Sequence, residues 1–242
     1  GSRVSQIELR FNPMKRNLQG ERDLDHIIHA SLRDMDRACL EYGVEAGLIF
    51  CLAREFEPEI NEVILEKAIK YRDRGVIGID LAGTEKGAVE LSDGVKKYAR
   101  IFQRARDAGL GTTVHTGETS ATAGEGVMAV LQELKPDRIG HGIRAAYSAE
   151  ATSMLADSGC VLEICPTSNL NTRAVRHLEE FRYVLGTFLE AGVRFTVNTD
   201  GTYLCSTNIH REYRLLVDSE IISEAEAEGA RTLAFESSFL AS

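Results

Sequence analysis

The chain has 242 residues, 43% of them hydrophobic and 27% charged, with 4 prolines, a balance that suits a globular core and argues against dominant disorder. Its formal net charge of -9 disfavours a nucleic-acid partner, because a phosphate backbone asks for clustered Lys and Arg, and these are scattered among acids along helical stretches. The five cysteines, Cys39, Cys51, Cys160, Cys165 and Cys205, are odd in number and sit mostly in apolar surroundings, which suits buried thiols in a reducing cytoplasm; no apolar run approaches the roughly 18 residues of a membrane span, and no signal peptide leads the chain.

From the N-terminus, "SQIELRF" reads as a strand. One pattern then recurs: a helical stretch closes on a glycine and a β-rich run follows. It appears as "ACLEYG" before "VEAGLIFCL", "IKYRDRG" before "VIGIDLAG", "RARDAG" before "LGTTVH", "SMLADSG" before "CVLEICP" and "TFLEAG" before "VRFTVNTD". Glycine takes the left-handed conformation that caps a helix, so Gly43, Gly75, Gly109, Gly159 and Gly192 mark helix stops. The runs between them, with the short "RIGHG", are continuously apolar instead of alternating, as expected of parallel strands covered on both faces. The segment "ISEAEAEGARTLAFESSFL" reads as a terminal helix, with Ser223 and Glu226 spaced as a capping box.

Strands alternating with helices predict an α/β fold with a parallel sheet. Neither G-x-G-x-x-G after a strand nor G-x-x-x-x-G-K-[ST] is present, which argues against an open nucleotide-binding sheet. Polar residues stand instead at the carboxyl ends of several strands: Asn12, Asp80, His115 with Glu118, His141, Ser168 with Asn169, and Asp200. A TIM-type (β/α)8 barrel builds its active site at that face from many strands, so a single barrel domain over 1–242 is expected.

The strand-end residues suggest chemistry. His115, at the end of an apolar strand in "VHTGE", could bind a metal as a neutral imidazole, and Glu118 could carry protons beside it. Taken alone, H-x-x-E is a weak signal that more often marks a surface or core polar contact. His141 is flanked by glycines that let backbone approach a ligand. Asp200 ends an apolar strand and needs a cation or donors there, or else serves as the N-cap of a helix beginning near Ser206. Pro166–Asn169 reads as a strand-to-loop break. Cys160 and Cys165 are too widely spaced for a C-x-x-C metal pair, and His177 and His210 are read as structural.

In order, "GIDLAGTE", "VHTGE", "RIGHG", "LEICPTSN" and "VNTD" resemble the adenosine deaminase family of the amidohydrolase superfamily, from about Ile7 to the C-terminus. The resemblance implies a zinc-dependent barrel that replaces the 6-amino group of a purine nucleoside by oxygen and releases ammonia. It makes His115 and Asp200 zinc ligands, Glu118 the acid/base that protonates the purine ring nitrogen beside C6, His141 the residue orienting the metal-bound hydroxide, and Gly83 a backbone contact to the purine. Two departures matter. The family's first strand carries a His-x-His pair giving two more zinc ligands, and none matches here, since His26 and His29 are spaced i, i+3 on a predicted helix. The resemblance therefore implies a fragment without the first βα unit, running from strand two to strand eight plus C-terminal helices. Gly201 stands where the family usually has a second aspartate contacting the purine, which widens the expected substrate to related aminated purines. The alternative expectation is a non-catalytic barrel that binds a purine or a partner.

Overall fold

A computed structural model describes residues 4–16, 23–85 and 93–241. The strands are β1 (Gln6–Phe11), β2 (Glu45–Ala53), β3 (Val76–Ala82), β4 (Gly111–Thr116), β5 (Arg138–His141), β6 (Val161–Ile164) and β7 (Phe195–Val197). The helices are α1 (Leu24–Tyr42), α2 (Pro58–Lys70), α3 (Asp93–Lys96), α4 (Ala99–Asp107), α5 (Ala123–Glu133), α6 (Ala149–Ser158), α7 (Pro166–Asn171), α8 (Leu178–Ala191), α9 (Thr202–Cys205), α10 (Ile209–Asp218) and α11 (Glu224–Glu236). The strand order is β1-β2-β3-β4-β5-β6-β7, the succession expected of repeated right-handed βα units. Among the described residues no helix is long and apolar enough to cross a membrane. The chain divides into two compact units.

The first unit takes in the residues up to Thr84, Lys97–Thr113 and the residues from Ser238 onward. β1 pairs β2 in parallel with Phe11 opposite Phe50, and β2 pairs β3 with Phe50 opposite Ile79. Continuous burial from Leu48 to Ala53 explains why β2 carries no alternation. Ile28 and Leu32 of α1, Ile64 and Leu65 of α2, and Phe102 of α4 are buried with these strands. Each such side chain stabilises by about 1.5–3 kcal/mol relative to exposure. Asp23 caps α1 by accepting from the Asp25 amide, and Gly43 closes it at φ 65°. The buried Asn61 amide meets both backbone groups of Ala53 at 2.9 Å, acting as a strand neighbour where β2 ends.

The second unit comprises Glu85–Lys96 and Val114–Ser237. β5 pairs β6 with Gly140 opposite Glu163, and β6 pairs β7 with Glu163 opposite Thr196. Val127 and Val130 of α5, Leu155 of α6, and Phe181, Leu185 and Phe188 of α8 are buried. Arg138 and Glu163, nearly inaccessible to solvent, form an ion pair at 3.0 Å, and Arg138 also donates to the Ser237 carbonyl. Gly159 and Gly192 close α6 and α8 in the left-handed region, and Ser223 with Glu226 forms the capping box of α11.

Two local expectations change. Pro166–Asn169 is not a loop: Pro166 starts α7 at the first helical position, where a missing amide hydrogen costs nothing. The N-cap of α10 is Asn208, whose side chain accepts from the Arg211 amide, so Asp200 does not serve as that helix's cap.

Candidate active site

The second unit gathers four strand-end residues singled out by the sequence. His115 lies on β4 and His141 ends β5, their rings meeting edge to face at a centroid distance of 5.3 Å. Gly140 makes that approach possible, since a Cβ there would stand 3.2 Å from His115 Nδ1. Its flanking glycine thus makes room for a neighbouring imidazole.

His141 is 3% exposed. Its Nδ1 lies 3.0 Å from the Asn169 amide nitrogen. That NH2 donates, so Nδ1 accepts and the ring hydrogen sits on Nε2, which faces Glu118 Oε2 at 3.7 Å. Burial pushes the His141 pKa down, and the charge of His115 adds to the effect, while Glu118 and Asp200 oppose it. Burial thus favours the neutral form of the imidazole.

Glu118 follows Gly117, which takes φ 62°. The Thr172 hydroxyl donates to its Oε1 at 2.9 Å. The turn is fixed from behind by Glu85, whose Oε2 accepts from the Thr116 hydroxyl at 3.0 Å and the Gly117 amide at 3.1 Å, and also from the Thr122 hydroxyl. The Gly142 and Arg144 amides donate to the carbonyls of Thr116 and Gly117, locking the ends of β4 and β5 together.

Asp200 lies beyond β7, exposed, and its Oδ2 accepts from the Ser168 hydroxyl at 2.6 Å. His141 and Asp200 both take left-handed backbone, at φ 66° and 53°. For residues other than glycine this costs of order 1–3 kcal/mol, and such conformations cluster at functional sites. Gly201 precedes α9 at φ -75°, so its freedom is not conformationally required.

Gly83 belongs to the first unit and takes φ 105°, which favours glycine, with the Arg54 amide 3.2 Å from where a Cβ would sit. Asp80, also in the first unit, is fully buried and pairs with Arg10 at 3.4 Å. Of the residues assigned by resemblance, His115, Glu118, His141 and Asp200 are thus brought together. Sequence reasoning passed over Glu85, Thr172 and Glu212. Glu85 stands in the quoted "GTE", but nothing in its spacing marks it as the anchor of a later turn.

The donor set bears on the zinc that the resemblance implies. His115 and Asp200 suit zinc, but a catalytic zinc keeps three protein ligands and a water. Among the described residues no three His, Cys, Asp or Glu side chains could together hold a metal ion. These residues do not complete such a site.

Parallel strands alternating with helices, and polar residues at the strand ends, define a TIM-type α/β deaminase fold. The adenosine deaminase family model matches residues 2–242, and the chain belongs to that family. It is similar to an adenine deaminase of Rhizobium etli, 36% identical over 89% of this chain and 64% of that protein. It is also similar to an adenosine deaminase of Escherichia coli, 32% identical over 97% of this chain and 67% of that protein. The crystal structure of an Arabidopsis N6-mAMP deaminase aligns with a TM-score of 0.83 and 26% identity, over 98% of this chain and 69% of that one. The chain thus spans about two thirds of the length of these relatives.

Proposed function

We propose that this chain carries the acid–base machinery of a hydrolytic deaminase acting on a 6-aminopurine, adenosine or a related aminated purine. The observation that carries the reading is the buried His141, held on one side by Asn169 and facing Glu118 on the other. The relatives support the substrate class: an adenine, an adenosine and an N6-mAMP deaminase act on a base, a nucleoside and a nucleotide that share the purine C6–N bond. Gly201, without a carboxylate, leaves the remainder of the purine less constrained than in the family pattern.

In the reaction a C6–O bond forms and the C6–N bond breaks, giving a 6-oxopurine and ammonia. Glu118 would carry a proton to the ring nitrogen beside C6, drawing electron density from the carbon under attack, a step typically worth ~10²–10⁴ in rate. His141 would donate from Nε2 to the incoming oxygen and stabilise its developing charge from a position fixed before the reaction. His115 and Asp200 are the donors that this chain would offer a zinc ion, whose chemistry would be to activate a water near neutral pH, and by themselves they do not complete its site.

The test is ammonia release from adenine, adenosine and AMP, in buffer with and without zinc. Turnover of one of them, reduced at least about 100-fold by Glu118→Gln, is the expected result. Turnover unchanged in both Glu118→Gln and His141→Asn would overturn it. The two-donor metal set favours a second reading, a barrel that binds purines without turning them over, and saturable adenosine binding with no ammonia would select it.

A further inference from the structure

We propose that Glu212 is a positioning residue that sets the strand-end site from outside it. The inference rests on the deaminase reading only in taking His141 and Asp200 as site residues.

Glu212 lies in the first turn of α10 and is completely buried. A carboxylate in that position is costly unless its lone pairs are filled. Its Oε2 accepts from the Thr167 amide at 2.8 Å and its Oε1 from the Thr167 hydroxyl at 2.6 Å; Oε1 also accepts from the Thr207 hydroxyl. The donors come from two separate segments. Thr167 opens α7 and is followed by Ser168, which donates to Asp200, and Asn169, which meets His141. Thr207 closes the segment that leaves Asp200 through α9, its amide donating to the Thr202 carbonyl. One carboxylate therefore fixes the stretch carrying the Ser168 donor and the stretch carrying its Asp200 acceptor.

That arrangement explains how the site is held. Asp200 sits in left-handed backbone and is exposed, so its own packing does not fix it. The Ser168–Asp200 and Asn169–His141 bonds depend on α7 keeping its place, and Thr167 is where α7 is pinned. The reacting groups of an enzyme tolerate little displacement: a shift of about 1 Å can cost about 100-fold in rate.

The experiment reads His141 directly, without relying on turnover. Imidazole nitrogens of the full chain, labelled at histidine, are observed by NMR at fixed pH, with the His141 signals assigned from His141→Gln. Glu212→Gln, which replaces one acceptor oxygen by an NH2 that cannot accept from the threonine donors, should shift or broaden the His141 pair, and Thr207→Val should do so more weakly. Glu226→Gln is the control: it removes a hydrogen-bonded carboxylate of the same unit, in the capping box of α11 and far in sequence from α7, and should leave those signals in place. If activity is present, Glu212→Gln lowers kcat by up to about 100-fold with KM little changed. Wild-type His141 signals in a folded Glu212→Gln protein would overturn the proposal, and if that variant does not fold, unmoved signals in Thr207→Val would do so. Absence of deaminase activity would sink the deaminase reading and leave the NMR result to decide this one.

Discussion

His141, Asp200 and Gly117 all adopt positive φ at strand ends, but only Gly117 does so without a steric penalty. Gly117 also has no room for a side chain: a Cβ would stand 2.5 Å from Val127 Cγ2. Gly117→Ala should therefore destabilise by about 1–3 kcal/mol, from strain and overpacking together, measured as a lower urea midpoint. It should also displace Glu118, so that any turnover under the proposed deaminase reading falls more than stability explains. A change in midpoint with kcat intact would mean that Glu118 is held by Thr172 alone. The roles of the site residues came only from the family resemblance; as candidates at the ends of apolar strands these residues were legible from side-chain type. Their mutual geometry was not, because the contacts between His115 and His141 and between Ser168 and Asp200 close over dozens of intervening residues.

At the level of elements, the sequence was read well where the signal is local. Gly43, Gly159 and Gly192 close helices, and the Ser223–Glu226 box opens one, because capping is decided within a single turn of chain. α7 was missed because Cys165-Pro166-Thr167-Ser168 reads as a break, although proline fits the first turn of a helix. Glu212 was missed because an acid among the charged residues of an amphipathic helix looks like part of its solvated face until its threonine partners arrive from two distant segments. The Arg138–Glu163 pair between β5 and β6 is of the same kind. Glu163→Ala leaves a buried guanidinium without its counter-charge and should cost about 3–5 kcal/mol in chemical denaturation. Replacing both residues by apolar side chains of similar volume should cost far less. An equal loss in the single and double variants would show that the ion pair itself stabilises the fold, since the double variant keeps the volume.

Across the molecule, the net charge of -9 places the acid limit of stability on carboxylates held ionised by the fold. Glu180 is one. Burial alone would raise its pKa, but hydrogen bonds from the Tyr147 hydroxyl and from Arg176 outweigh that and bring it from 4.5 down to about 2. Asp25 is another, held well below the usual carboxylate range by hydrogen bonds from Lys67 and Lys70. A group depressed in the folded state binds fewer protons there than in the unfolded chain. Its contribution is complete above the unfolded value near 4.5 and is lost as pH falls toward 2. Glu180→Gln should thus lower stability by about 1.5–3 kcal/mol at pH 7, the worth of hydrogen bonds to a charged group. Denaturation followed from pH 7 to pH 2 should show the variant and parent curves converging at the acid end. Parallel curves would show that Glu180 contributes by packing and neutral hydrogen bonds, with the charge itself contributing nothing.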